Sequence, residues 1–196
     1  TEYGEICVSQ IDNLSSIITA MNSDEGYVGI FGDKLSIFST DAKSVMSNMK
    51  EAEELARKIG GSTENGIWIF FRDSLKYNEK YDNIFIYSDM QAGHGGLYGT
   101  NPSEYKKYLW KTGGYECGYR EDSGNIDVLA LVEEYRQTVN PKVNVFSVQT
   151  AGYNNSVLPE NYYRTAILTG WTGKEVLYAT ELISIWDTIE SRGNQQ

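Results

Sequence analysis

The stretch Asn83-Ile84-Phe85-Ile86-Tyr87-Ser88-Asp89-Met90-Gln91-Ala92-Gly93 decides the fold class. It is an apolar run, too short for a helix and rich in Ile and aromatics, that stops at an acid and a flexible turn. Such a run reads as a strand buried on both faces of a largely parallel sheet. Asp89 then stands at the carboxyl end of that strand, the edge at which open α/β sheets bind their ligands. Its carboxylate has two readings: a ligand for a cation or cationic group, or a cap that accepts backbone N–H groups of the following turn.

Working outward from this strand, Ile6, Cys7, Gln10, Ile11, Leu14, Ile17, Ile18 and Met21 recur at three- and four-residue spacings and predict an amphipathic helix packed on a core. Residues 27–31 and 34–38, joined by Gly32-Asp33, predict a hairpin at the edge of the sheet. A helix over about 44–59 carries Lys50, Glu51, Glu53, Glu54, Arg57 and Lys58 on a solvated face and ends at Gly60-Gly61. Ser62-Thr63 then cap a second helix, which runs to about Leu75. Downstream, the pattern predicts a helix over 125–138, a strand over 142–149, a short helix over 161–168 and a short strand over 174–178. A closing helix over 181–192 places Leu182, Ile185, Trp186 and Ile189 on its apolar face. The alternation predicts one layered α/β domain spanning residues 1–196.

Composition agrees with a single core: 196 residues with 40% hydrophobic content suffice to bury roughly 70% of the unfolded surface. Lys plus Arg number 17 against 27 Asp plus Glu, a net charge of −10 without a strong basic patch. A phosphate backbone is repelled overall, and divalent cations or basic partners suit the chain better. The apolar runs are far short of a membrane span and the amino terminus lacks a leader pattern, so the chain reads as soluble. Cys7 and Cys117 make neither a disulfide framework nor a metal knuckle, and a reducing, cytoplasmic setting is the simpler expectation.

Residues 94–124 form a Gly- and aromatic-rich insertion with a helical turn expected near 102–111. It reads as a self-packed surface loop, or as a partner surface anchored by Tyr98, Tyr105, Tyr108, Trp110 and Tyr115. Enzyme chemistry finds little support. His94, the single histidine, lies in Gly93-His94-Gly95-Gly96 without a Gly-x-Ser-x-Gly elbow, and no P-loop or dinucleotide fingerprint occurs. A non-enzymatic protein is expected.

Gly60-Gly61-Ser62-Thr63 and Asp89 lie at connections on one edge of the expected sheet, where a hydroxyl and a carboxylate converge on a hard cation such as magnesium. Here the sequence resembles a von Willebrand factor A domain. The metal-ion-dependent adhesion site of that fold takes a threonine from a Gly-Gly loop and an aspartate after its fourth strand. Thr63 and Asp89 match those positions, and Gly66 matches a frequent feature of the loop. Within that class the chain resembles the A domain of the Ro ribonucleoprotein family, whose helical-repeat ring is called TROVE. The likeness runs through Tyr27 to Asp33, Gly60 to Thr63, Ile84 to Asp89 and Ala130 to Arg136, ahead of Pro141. The resemblance implies a three-layer, Rossmann-like open sheet, mostly parallel with one antiparallel edge strand. It also implies magnesium at Thr63 and Asp89, and small non-coding RNA bound mainly by an upstream helical ring. The alternative is a metal-dependent protein-binding A domain without an RNA role.

Two departures bear on the site. The first strand of the family, ending in Asp-x-Ser-x-Ser, has no counterpart ahead of the first helix. Asp12-Asn13-Leu14-Ser15-Ser16 lies inside the helical pattern and leaves only ten residues before Tyr27, too few for a crossover helix. The missing strand is also the central one, expected between the strands at Tyr27 and Asn83. The chain therefore reads as the C-terminal piece of a longer or cleaved protein, with another polypeptide segment supplying that strand.

Overall fold

The computed structural model of the chain describes residues 2–3, 6–40, 43–60, 65–88, 104, 106–109, 126–150, 157–159, 162–170 and 174–193. Two short strands, β1 (Glu2–Tyr3) and β2 (Ile6–Cys7), pair antiparallel ahead of helix α1 (Val8–Met21). A hairpin of β3 (Tyr27–Phe31) and β4 (Leu35–Ser39) follows, then α2 (Val45–Ile59) and α3 (Asn65–Tyr77). Next come β5 (Asn83–Ser88), a 3-10 turn at Lys106–Tyr108, α4 (Val128–Thr138), β6 (Asn144–Gln149), β7 (Thr165–Thr169) and α5 (Glu175–Gly193). The architecture is mixed α/β: β5, β6 and β7 make a three-stranded parallel sheet, and β3 and β4 a separate antiparallel pair.

Strand β5 is buried on both faces, as its apolar run dictates. Ile84 and Ile86 enter a core with Ile67, Trp68 and Phe71 of α3 and Leu131, Val132 and Tyr135 of α4. Phe85 and Tyr87 point the other way, where the Phe85, Phe146 and Trp186 rings stack in series at 4.7 and 5.8 Å under α5. β6, flanked on both edges, is buried along nearly its whole length. A third cluster joins Ile17 and Ala20 of α1, Val28, Ile30 and Phe38 of the hairpin, and Ala52 and Ile59 of α2.

Polar side chains fix the element ends. Ser44 accepts from the Ser47 N–H at 3.1 Å and Asp127 from the Ala130 N–H at 3.2 Å, capping α2 and α4. The Tyr135 hydroxyl donates to the Glu79 carbonyl at 2.7 Å and accepts from the Tyr81 N–H at 2.8 Å, which sets the entry to β5. Before β7, the buried Arg164 guanidinium donates to Asn144 Oδ1 and Glu190 Oε1, each at 2.8 Å, and also to Asp187. These bonds tie the last turns of α5 to the parallel sheet.

Four expectations are corrected. Residues 165–169 form β7, where a helix over 161–168 was expected. The five-residue run is rich in β-branched side chains and finds a free edge on β6. Residues 174–178, expected as a strand, open α5, which buries Glu175 and Ala179 in its first turns. The α1 face is rolled as well. Ile17, Thr19 and Ala20 are buried, whereas Leu14, Ile18 and Met21 are 40, 37 and 37% exposed. On α5, Leu182 and Trp186 pack on the sheet as expected, and Ile185 and Ile189 face outward.

Candidate functional site

The β3–β4 pair and the parallel sheet do not join among the described residues. Between β3 and β5 lies a cleft of about 650 Å³, lined along both strands, by α1 on one side and by α3 on the other. Tyr27, which opens β3, meets Tyr81, just ahead of β5, edge to face at 6.4 Å. The two strands therefore start at the same end of the cleft.

The hydrogen-bond parity of each strand identifies what faces the cleft. Gly26 accepts from the Thr40 N–H at 3.0 Å and the Gly32 N–H donates to the Lys34 carbonyl at 3.0 Å, so the even-numbered residues of β3 bond to β4. Antiparallel alternation turns the N–H and C=O groups of Tyr27, Gly29 and Phe31 toward the cleft. On the opposite rim, the Asp82 carbonyl accepts from the Asn144 N–H at 3.0 Å and the Ser88 carbonyl from the Thr150 N–H at 3.4 Å. Even-numbered residues of β5 thus bond to β6, and the main chain of Asn83, Phe85 and Tyr87 faces the cleft.

The two walls differ in chemistry. From α3 come Ile67, Phe70 and Phe71, with the Tyr81 ring beside them. From α1 come Asp12, Ser16, Thr19 and, just past its end, Ser23, a polar stripe at helical spacing. The Thr19 and Tyr87 hydroxyls lie 2.6 Å apart and link α1 to β5. Burial pushes the Tyr87 phenol up to about 12, and burial with Glu79 nearby does the same for Tyr81. Both phenols are accordingly neutral hydrogen-bonding groups at physiological pH.

At the carboxyl end of the cleft stand the described neighbours of the expected cation ligands. Thr63 and Asp89 themselves lie outside the described residues, as do Tyr98, Tyr105, Trp110, Tyr115 and His94. The ends of the 61–64 segment are fixed at the hairpin turn: the Asn65 N–H donates to the Gly32 carbonyl at 3.0 Å and its Nδ2 to the Asp33 carbonyl at 3.2 Å. Gly60 adopts φ +83°, a left-handed conformation that favours glycine, with an Asp33 carboxylate oxygen 2.6 Å from where a Cβ would stand. Ser88, the residue before Asp89, closes β5. Among the described residues no three His, Cys, Asp or Glu side chains gather in a way that could hold a metal.

Tyr108 is turned inward at 6% exposure, its ring 5.4 Å from Trp68 and its hydroxyl donating to Glu134 at 2.7 Å. It serves the core and is not an exposed contact anchor. The α1 stripe went unread in the sequence because the apolar periodicity of the same helix drew attention to its opposite face. Comparison with protein-family models, with curated proteins and with solved structures finds no match. Among the described residues no helix is long and apolar enough to cross a membrane.

Proposed function

We propose that the chain is a non-catalytic binding domain of von Willebrand factor A type that holds a divalent cation, magnesium in the first instance, through the Thr63 hydroxyl and the Asp89 carboxylate. The observation that carries this reading is the common position of their neighbours. Asn65 is hydrogen-bonded to the turn that follows β3, Gly60 lies against that turn, and Ser88 ends β5, which supports bringing both connections to one end of an A-type sheet. The donor set fits the ion: hard oxygen ligands suit magnesium, which keeps several waters and is commonly held through one or two carboxylates. With a single carboxylate in the set, affinity in roughly the millimolar range is expected.

Within this type, the resemblance to the Ro family supports a place in a ribonucleoprotein, where the domain braces an RNA-binding helical region and leaves the RNA contacts to it. The net charge of −10 agrees with that division. The second reading is a protein-binding A domain. It is favoured by the cleft, whose strand edges recognise polypeptide backbone better than RNA. Calorimetric titration of magnesium into the chain and into Asp89→Ala and Thr63→Val tests the cation site. Binding by the parent and its loss in Asp89→Ala, with unchanged unfolding, is expected; unchanged affinity in that variant removes Asp89 from the site. Magnesium-dependent binding of a structured small RNA by the full-length protein separates the two readings.

A further inference from the structure

We propose that the outer edge of β7 and the adjoining flank of α5 form a two-fold interface, on which a second copy of this chain docks by antiparallel pairing of β7 with its counterpart. The inference does not rest on the cation site. In the parallel sheet β7 lies outside β6, and no strand among the described residues pairs with its other edge. Its hydrogen-bond parity is fixed at both ends: the Arg164 carbonyl accepts from the Val145 N–H at 3.0 Å, and the Gly170 N–H donates to the Gln149 carbonyl at 3.2 Å. Even-numbered residues of β7 therefore serve β6, and the main chain of Thr165, Ile167 and Thr169 turns outward. The Thr165 N–H is taken by the Tyr162 carbonyl at 3.1 Å, which leaves its carbonyl and the N–H and C=O groups of Ile167 and Thr169 to a partner. Antiparallel pairing centred on Ile167 sets Ile167 against Ile167 and Thr165 against Thr169, so the outward donors and acceptors match and the threonines face each other.

The helix beside this edge is self-complementary in the same way. A groove of about 600 Å³ runs between β7 and α5, lined by Tyr163, Ile167, Leu182, Trp186 and Ile189 among others. Along that flank Tyr178, Leu182, Ile185 and Ile189 recur at the four-three-four spacing of a helix–helix seam, and all but Leu182 are exposed. With two such helices antiparallel, Tyr178 stands opposite Ile189 and Leu182 opposite Ile185. The strand and helix patterns share one axis. Arg164 bonds to Asp187 and Glu190 near the end of α5, and Gly170 lies against Glu175 at its start, so α5 runs back along β7. From Arg164 to Ile167 the strand rises about 10 Å, the rise of about seven helical residues, which brings Ile167 level with Leu182, beside the centre of the seam. A second copy also meets little repulsion here, although the chain carries a net charge of −10: Asp187 and Glu190 are already paired with Arg164 and Lys142. The strand edge and the exposed side chains offer on the order of 600 Å² per copy, the low end for a specific interface, so a dimer of roughly micromolar affinity is expected.

The test is sedimentation equilibrium of the full chain from about 1 to about 300 μM, with amide hydrogen exchange followed by NMR at both ends of that range. The apparent mass should rise from 22.1 kDa to twice that value, with a midpoint on the order of 10 μM. Exchange at Ile167 and Thr169 should slow with concentration, while Ala166 and Leu168, already bonded to β6, change little. Ile189→Glu, at a position 63% exposed and so tolerated by the fold, should weaken the dimer by about tenfold or more. Ile167→Pro removes an outward N–H and no bond to β6, and should abolish the dimer. The proposal is overturned by any of three results: a chain that stays monomeric at the highest concentration, a dimer that Ile189→Glu leaves unchanged, or Ile167 and Thr169 amides indifferent to concentration.

Discussion

Substituting alanine at Gly66 probes the junction on which the carboxyl end of the cleft is built. A Cβ at this position would stand 2.0 Å from the Phe31 Cβ and 2.6 Å from its Cγ. Ordinary carbon contacts lie at about 3.5–4.0 Å, so the elements must separate by about 1.5 Å or more. Phe31 Cβ is one bond from the main chain of β3, so rotation of the ring gives no relief. The Asn65 bonds to Gly32 and Asp33 hold the first turn of α3 against the hairpin and resist the displacement. Overpacking typically costs about 1–3 kcal/mol, and a contact this short belongs at the upper end. Replacing glycine by alanine in a helix returns at most about 1 kcal/mol. The net expectation is a destabilisation of about 2 kcal/mol. With a urea m-value of about 2 kcal/mol/M, the midpoint falls by about 1 M. Phe31→Gly removes the opposing Cβ, so Gly66→Ala should be neutral or slightly stabilising in that background, with a coupling of about 2 kcal/mol. A midpoint within about 0.2 M of the parent, or equal effects in both backgrounds, refutes the close approach of α3 to β3.

Two further outcomes follow from polar groups. Hydrogen bonds from Arg164, Lys142 and Tyr163 hold the Glu190 carboxyl at about 2, against an ordinary 4.5. A depressed carboxyl stabilises the fold above its unfolded value and loses that contribution as pH falls from about 4.5 through about 2. Glu190→Gln should therefore lower stability at pH 7 and flatten its dependence across that window, as read from urea midpoints against pH. Asn48 of α2 is fully buried, and its amide Nδ2 and Oδ1 have no hydrogen-bond partner among the described residues. Asn48→Leu should raise thermal stability by about 1 kcal/mol through removal of that desolvated amide, whereas a loss would point to a bond that the amide makes in solution.

The strand at Asn83 was legible because burial on both faces leaves an unbroken apolar run, and its neighbours confirm it: Ile84 and Ile86 on one face, Phe85 and Tyr87 on the other. The hairpin, α2 and α4 carried local signals, such as the Gly32-Asp33 turn and the capping residues Ser44 and Asp127, that tertiary packing did not override. Residues 165–169 were ambiguous, since a five-residue apolar run has no period to distinguish helix from strand. Pairing with β6 decides it, and that is a long-range event. The first helix misled for a related reason. Its stronger apolar stripe, through Leu14, Ile18 and Met21, is partly exposed, and the Asp12-Ser16-Thr19 stripe faces the cleft. That no strand among the described residues joins β3 to β5 was readable by counting residues. The main-chain groups lining the cleft were not, because they depend on hydrogen-bond parity that side-chain patterns do not encode.

The most direct test of a cation site at the carboxyl end of the sheet is a manganese titration followed by paramagnetic broadening of amide resonances. The account predicts that Gly60, Asn65 and Ser88 broaden first, that excess magnesium reverses the effect, and that Asp89→Ala suppresses it. Broadening centred on Glu53 and Glu54 of α2, or none at millimolar manganese, would contradict it.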